Sequence, residues 1–314
     1  MVARAMDLPV SGHDPVLMDQ VLEGLAIAPG QTVVDCTLGR AGHASAIASR
    51  LGSAGVLIGL DADPRNLAFA AQRLGVSGAS ATSSLHACTI RLFHANFAQL
   101  DDVLEQVQPV RVDAILADLG LSTNQLFDIS YGLSFAQDMP LDMRLDPELP
   151  TSAQTIVNHM PERELADCLF NLAQERYSRR IARKIVEARR ISPIQTTERL
   201  ADIVRRAVGP GHGGPGKIDP ATRTFLALRM VVNREVEHLA RLLEEGPALL
   251  SGGGRMGVIS FQSTEDRAVK QAFRSLEQTG LYTVLTKKPL SPSPAELAAN
   301  PRSRSAKLRI IQRT

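Results

Sequence analysis

Short apolar segments rich in Val, Ile and Leu recur along the chain, separated by stretches whose apolar residues have helical spacing. Such near-continuous apolar runs are typical of strands in a parallel sheet that helices cover on both faces. The predicted strands are residues 32–37, 55–63, 89–97, 112–120, 255–261, 282–289 and 306–313. The pattern therefore predicts an α/β fold with a doubly wound, mostly parallel seven-stranded sheet.

The segment between the fourth and fifth predicted strands is several times longer than one crossover helix needs. Within it, apolar residues such as Leu165, Leu169 and Leu172 recur at the spacing of amphipathic helices. One long helix is predicted from about Pro220 to Glu245. The predicted domains are residues 1–140, the first part of a sheet domain; 141–218, an inserted helical domain; and 219–314, the second part of the sheet domain.

Composition narrows the class of protein. A chain of 314 residues with 44% hydrophobic and 22% charged residues is ordinary globular material. Its net charge of +2 does not demand a polyanionic partner, so a nucleic-acid partner must be argued from clusters of cations. Three scattered cysteines and seven histidines show no metal-ligand or disulfide spacing, so we expect no metal. Since no apolar run reaches about 18 residues, we expect a soluble cytoplasmic protein that does not associate with membranes.

The first predicted strand runs into the turn DCTLGRAGH, residues 35–43. Glycine at such a turn lets the backbone approach a ligand, and the helix that follows offers free N–H groups. Asp61 ends the second predicted strand at about the distance along the chain, roughly 20 residues, at which an acidic side chain meets ribose hydroxyls. Together these features indicate an adenosine-bearing cofactor. In the alternative reading, the glycines only make a tight turn and Asp61 caps the next helix.

NAD is the natural competitor as cofactor, but the fingerprint G-x-G-x-x-G is absent because Thr37 stands at its first glycine. The end of the fourth predicted strand favours methyl transfer instead. Asp118 and Ser122 place a carboxylate and a hydroxyl at the carboxyl edge of the sheet, where ligands bind in such folds. Methyltransferases that act on amino groups need hydrogen-bond acceptors there. The closing pair of strands also suits methyltransferases better than simple dinucleotide-binding domains.

Cations cluster at two places in the sequence. Arg179, Arg180 and Arg183 lie in the predicted helix ERYSRRIARKIVEARR, and Arg302 and Arg304 lie in the segment NPRSRSAKLR. Together they are able to follow a phosphate backbone. The alternative is a solvated helix whose cations pair with neighbouring glutamates.

Motifs along the whole chain carry a family resemblance. They are HDPVLMDQVL, DCTLGRAGH, LIGLDADP, DLGLSTNQLF, YGLSFAQDMPLDMRLDP, ERYSRRIARKIVEAR, DPATRTFLALRMVVN, GGRMGVISFQSTEDRAVK and NPRSRSAKLR. In this order they resemble the bacterial methyltransferases that modify N4 of a cytosine in the decoding centre of 16S ribosomal RNA. The resemblance implies a class I S-adenosylmethionine-dependent methyltransferase fold with an inserted helical domain. It also implies S-adenosyl-L-methionine as donor and the 16S rRNA of the 30S ribosomal subunit as partner, and it leaves monomer and homodimer open.

The resemblance also assigns roles to residues. Cofactor contacts fall on Ala41, Gly42 and His43 for the methionine end, Asp61 for the ribose, Phe97 for the adenine, and Asp118 and Gln125 for the rest of the pocket. From the chemistry of amino-group methylation we expect Asp118 and Ser122 to be catalytic. Asp142 and Arg144 are expected to face the substrate nucleotide, with a structural ion pair as the alternative. The chain departs from the usual family residues at Ala41, Asn124, Asp219 and Gln262.

Two rival functions remain at this point. One is a methyltransferase that acts on another nucleic acid or on protein amines. The other is a non-catalytic ribosome-assembly factor that keeps the fold, which the departures at Asp219 and Gln262 favour.

Overall fold

The predicted strands form one sheet in the computed structural model, which describes residues 15–77, 80–107, 111–210 and 218–314. Its strands are β1 (Thr32–Asp35), β2 (Val56–Asp61), β3 (Ser80–Thr82), β4 (Thr89–His94), β5 (Val112–Asp118), β6 (Leu250–Ser260), β7 (Tyr282–Val284) and β8 (Lys307–Arg313). Their order across the sheet is β3-β4-β2-β1-β5-β6-β8-β7. The strands from β4 to β6 in this order are parallel, whereas β8 and β7 close the sheet with antiparallel pairs.

This order confirms the predicted fold class. All seven predicted strands are present, and β3 adds a short antiparallel strand beside β4 at the edge of the sheet. The sequence pattern gave no sign of β3, because three residues are too few for an apolar period to be recognised.

Helices cover both faces of the sheet. They are α1 (Met18–Gly24), α2 (Gly42–Leu51), α3 (Pro64–Arg73), α4 (Leu100–Val107), α11 (Glu235–Glu245) and α12 (Ser263–Gln278), while the exposed α13 (Pro294–Ala299) belongs to neither core cluster. Successive strand residues point to opposite faces, so Val33 belongs to the core cluster with α1, α2 and α3. Its neighbour Val34 belongs to the second cluster, with α4, α11 and α12.

A second group of helices forms its own compact unit. These are α5 (Thr123–Phe127), α6 (Ala153–His159), α7 (Glu162–Ala173), α8 (Ser178–Ile191), α9 (Thr197–Val208) and α10 (Ala221–Val232). Backbone contacts divide the chain into a sheet unit, Met1–Ser122 with Glu237–Thr314, and a helical unit, Thr123–Val236. The predicted insert, 141–218, lies inside this wider unit, and residues 211–217 of it are outside the described residues. The segment before α6 belongs to the helical unit because its backbone is hydrogen-bonded to other residues of that unit. For example, Leu141 N donates to Gln195 O at 2.9 Å.

The single long helix predicted from Pro220 to Glu245 is wrong. Helix α10 ends at Val232 and α11 begins at Glu235, with Arg234 between them in the left-handed region at φ 50°. The break is fixed by Asn233, whose side chain accepts from Leu145 N at 2.9 Å and donates to Met143 O at 2.8 Å. Apolar periodicity continues across this break, so the sequence pattern did not reveal it.

In the described part of the chain, none of the helices combines the length and apolar character that a membrane span requires.

Candidate active site

Three carboxylates lie at the carboxyl edge of the sheet. Asp35, Asp61 and Asp118 are the last residues of β1, β2 and β5, and β1 is paired in parallel with both neighbours. Neighbouring strands lie about 4.8 Å apart, so Asp61 and Asp118 are separated by roughly 10 Å across β1. We call these three residues the acidic rim.

The turn that follows β1 is hydrogen-bonded to both neighbouring strands. On the β2 side, Gly39 N donates to Asp61 Oδ2 at 2.6 Å. On the β5 side, Asp118 N donates to Thr37 Oγ1 at 2.6 Å, and Cys36 N donates to Leu116 O at 2.8 Å. The turn is therefore fixed before any ligand arrives, which lowers the entropy cost of binding.

The N-terminus of α2 opens onto this edge. Ala41 is the N-cap residue, and its side chain gives no capping hydrogen bond. The first N–H groups of a helix have no intrahelical partner, and the helix dipole favours negative charge there. A Cβ at Gly42 would lie 3.2 to 3.3 Å from three carbons of the Pro15 ring, so a larger residue would crowd this segment. A carboxylate would be stabilised at such a helix N-terminus, so the contact of Ala41, Gly42 and His43 with the methionine end of the cofactor stays a prediction.

His43 links α2 to the acidic rim. Its Nε2 lies 2.9 Å from Val16 O, and because a carbonyl only accepts, Nε2 carries a proton. Its Nδ1 lies 3.8 Å from Asp118 Oδ2. The buried ring is therefore held in one orientation between the Val16 carbonyl and the β5 carboxylate.

Asp61 is anchored by backbone donors. Besides Gly39 N, its carboxylate accepts from Asp63 N at 2.8 Å. Burial raises the pKa of Asp61 to about 7, against the effect of these two N–H groups. The N-cap of α3 is Asp63, whose side chain accepts from Arg65 N, so the alternative in which Asp61 caps that helix is wrong. A carboxylate held this way keeps lone pairs for further donors such as ribose hydroxyls.

Asp35 was not among the predicted site residues. It is only 1% exposed, and burial raises its pKa to about 6, although His43 and the Thr37 amide oppose the shift. The signal that could have found it is its place as the acidic residue immediately before the glycine-containing turn. With Asp118 it gives this part of the edge a negative character that suits a cationic ligand group.

Phe97 supplies an apolar wall near the end of β4. It begins a short 3-10 helix, Phe97–Gln99, which Asn96 and Gln99 stabilise through a capping box. Its ring meets His238 edge to face, with centroids 6.2 Å apart. Since β4 pairs with β2 in parallel, Phe97 follows the same edge of the sheet as Asp61, as its predicted role beside an adenine requires.

The other predicted pocket residues divide between the two units. Ser122 is buried four residues beyond Asp118 and belongs to the sheet unit. Gln125 is buried in α5 of the helical unit, and its contact with the cofactor stays a prediction.

Asp142 and Arg144 form a bidentate ion pair, with Nε to Oδ1 at 2.7 Å and Nη2 to Oδ2 at 2.8 Å. Arg144 also donates to the carbonyls of Pro147 and Leu149 at 3.0 and 2.8 Å. These contacts are those expected of a structural ion pair, which was the alternative for these two residues. Contact of Asp142 and Arg144 with the substrate nucleotide stays a prediction.

The predicted cations are exposed in both units. Arg179, Arg180 and Arg183 lie on the solvent side of α8, opposite Ile181 and Ile185. Only Arg183 of the three has an acidic partner within the described helix, Glu187, at 4.0 Å.

Arg302 and Arg304 are exposed in the short helix Pro301–Ser305, just before β8. Because Lys307 pairs with Ser260 at the carboxyl end of β6, both arginines lie at the same edge of the sheet as the acidic rim.

Three departures from the family pattern have local explanations. Ala41 has φ 59°, a left-handed conformation that costs an alanine about 1–2 kcal/mol, but its fully buried methyl group recovers about 0.8 kcal/mol. Asp219 binds Arg205 at 2.9 Å. Gln262 is the N-cap of α12 in a capping box with Glu265.

The donor set fits S-adenosylmethionine. Four groups lie along one edge of the sheet. The N-terminus of α2 suits a carboxylate and Asp118 suits an ammonium, while Asp61 suits ribose hydroxyls and the Phe97 ring suits an adenine. Among the described residues no group of three or more potential ligands is arranged to hold a metal ion. The fold and this edge define a class I methyltransferase that uses S-adenosylmethionine.

Comparison with known proteins identifies the family. Residues 10–314 match the model of the MraW methylase family, and the chain belongs to this family. It is 43% identical over 320 residues to the ribosomal RNA small subunit methyltransferase H of Syntrophobacter fumaroxidans, covering 97% of both chains. It is 45% identical over 300 residues to the protein of the same name from Solibacter usitatus, covering 96% of this chain and 99% of the relative. The predictions of a methyltransferase and of its cofactor are therefore confirmed.

Proposed function

We propose that this enzyme methylates N4 of a cytosine in the decoding centre of 16S ribosomal RNA in the small subunit, in the cytoplasm. The observation that carries the proposal is the position of Asp118 at the end of β5, 3.8 Å from His43 of α2 and four residues before the buried Ser122, in a chain of the MraW family. The two relatives named above are small-subunit ribosomal RNA methyltransferases.

Methyl transfer to cytosine N4 needs a particular arrangement of acceptors. S-adenosylmethionine, when bound, supplies an activated methyl group for direct in-line displacement, so alignment is the main catalytic tool. The N4 lone pair is conjugated into the base. Acceptors that hold the two amino protons tilt this lone pair out of the ring plane, and we assign this role to Asp118 and Ser122.

We assign roles to the other site residues from their positions along the same edge. Asp61 holds the ribose, Phe97 covers the adenine, and the N-terminus of α2 binds the methionine carboxylate. His43 keeps the Asp118 carboxylate in place from 3.8 Å. The cytosine must be extruded or single-stranded to reach these acceptors.

Mass spectrometry of 16S RNA from cells that lack this protein tests the proposal. We expect the loss of one methyl group from a decoding-centre cytosine and its return when the wild-type chain is restored. Restoration by an Asp118→Ala variant would refute the assigned acceptor. An unchanged methyl pattern with impaired subunit assembly would favour the non-catalytic assembly factor.

A further inference from the structure

Helix α12 presents a row of cations to solvent. Arg267, Lys270 and Arg274 are spaced so that they fall on one side of the helix, beside the face that buries Val269 and Phe273; Arg267 and Arg274 are exposed and Lys270 is half-buried. With a rise of 1.5 Å per residue, the row is about 10 Å long. We call these three residues the α12 basic row.

The acidic residues of α12 do not neutralise this row, because each is engaged elsewhere. Glu265 accepts from the N–H groups of Phe261 and Gln262, both at 2.9 Å. Asp266 binds Arg309 at 2.7 Å and Lys307 at 3.4 Å. Glu277 accepts from Val284 N at 3.0 Å.

The α12 basic row itself forms no ion pair with any acidic side chain of the described residues. This differs from helix α8, where Lys184 binds Glu187 at 2.6 Å. The acidic side chains of α12 therefore form hydrogen bonds and ion pairs with other segments, whereas its three cations have no acidic partner among the described residues.

The position of the row connects it to the active site. Helix α12 begins at Ser263, three residues after β6 ends at Ser260, at the same edge of the sheet as the acidic rim. The exposed Arg304 precedes β8, whose first residue pairs with the last residue of β6. Cations thus extend from this edge along α12.

We propose that the α12 basic row binds the phosphate backbone of the ribosomal RNA substrate beside the target cytosine. The inference rests on the proposed function and adds a surface to it. A row of unpaired cations at one edge complements a polyanion, and arginine favours phosphate through its planar fork of donors. An acidic protein is the other partner that such a row could take.

The test is the salt dependence of binding to a 16S RNA transcript. It compares the wild type with the triple variant Arg267→Ala, Lys270→Ala, Arg274→Ala. Each phosphate contact to single-stranded RNA contributes about 0.7 to the slope of log K against log salt, so the slope should flatten by about 2. Between about 50 and 200 mM salt, the wild type should lose roughly 20-fold more affinity than the variant.

A control variant removes three exposed arginines from other helices, Arg50, Arg163 and Arg241, and should keep the wild-type slope. Unchanged affinity for S-adenosylmethionine shows that both variants are folded. A wild-type slope in the α12 variant overturns the proposal, as does normal RNA binding with lost binding to an acidic polypeptide such as polyglutamate. If the wild type methylates the RNA but the wild type and the α12 variant have the same salt slope, only the proposed role of the α12 basic row is refuted. If the wild type transfers no methyl group to the RNA, the proposed function itself is refuted.

Discussion

Replacement of Asp61 by alanine should weaken cofactor binding strongly. The carboxylate ends β2 and is oriented by two backbone N–H groups, from Gly39 at 2.6 Å and from Asp63 at 2.8 Å. In the proposed complex its remaining lone pairs accept from the ribose. Alanine removes the acceptor and also the group that fixes the α2 turn to β2.

The size of the effect follows from these bonds. A hydrogen bond to a charged acceptor contributes about 1.5–3 kcal/mol, so the loss of one ribose contact weakens binding by roughly 10- to 150-fold. The measurement is calorimetric titration with S-adenosylmethionine at about pH 8. Since the pKa of Asp61 is raised to about 7, the carboxylate is mostly ionised there.

The matched control is Asp113→Ala. The Asp113 carboxylate also accepts a backbone N–H, from Thr32 at 2.8 Å. It lies near the start of β5 and beside the start of β1, at the edge of the sheet opposite the acidic rim. Its loss should lower stability and leave cofactor affinity within about twofold of the wild type. Equal affinity of the Asp61→Ala variant and the wild type would remove Asp61 from the ribose site.

Three further predictions concern other parts of the site. Ser122→Ala should slow turnover and keep cofactor affinity, because the hydroxyl is assigned to the substrate; wild-type turnover in a methyl-transfer assay would contradict this. Burial raises the pKa of Asp35 from 3.8 to about 6, so its contribution to stability is full below about pH 3.8 and is lost as the pH rises through 6. Relative to Asp35→Asn, the wild type should therefore lose about 3 kcal/mol in denaturant titrations that run from well below pH 3.8 to well above pH 6, and a constant difference would refute the burial argument. Reversal of Arg179, Arg180 and Arg183 to Glu should weaken RNA binding and flatten its salt dependence, whereas an unchanged slope would make α8 a solvated face.

The sheet was predictable because apolar runs repeat along the chain and parallel strands end at a common edge. The same rule predicts that Asp61 and Asp118 lie at one edge of the sheet. It could not supply β3, which has three residues, or the break at Arg234, where apolar periodicity continues through both helices.

The site was only partly predictable, because several of its features depend on contacts between distant segments. The burial of Asp35 and the bond from Asp118 N to Thr37 Oγ1 arise when β1 and β5 pair. The engagement of Asp266 by Arg309 requires β8 to lie beside β6. Spacing along the sequence does not predict such contacts. The geometry of the acidic rim and the unpaired state of the α12 basic row are therefore seen only in the structure.

A crystal structure with bound S-adenosylmethionine tests the central claim most directly. The account predicts that the ribose lies within hydrogen-bond distance of Asp61, that the methionine carboxylate meets the first turn of α2, and that the methyl group faces Asp118. A donor bound elsewhere on the chain, with this edge occupied by protein side chains, would contradict it.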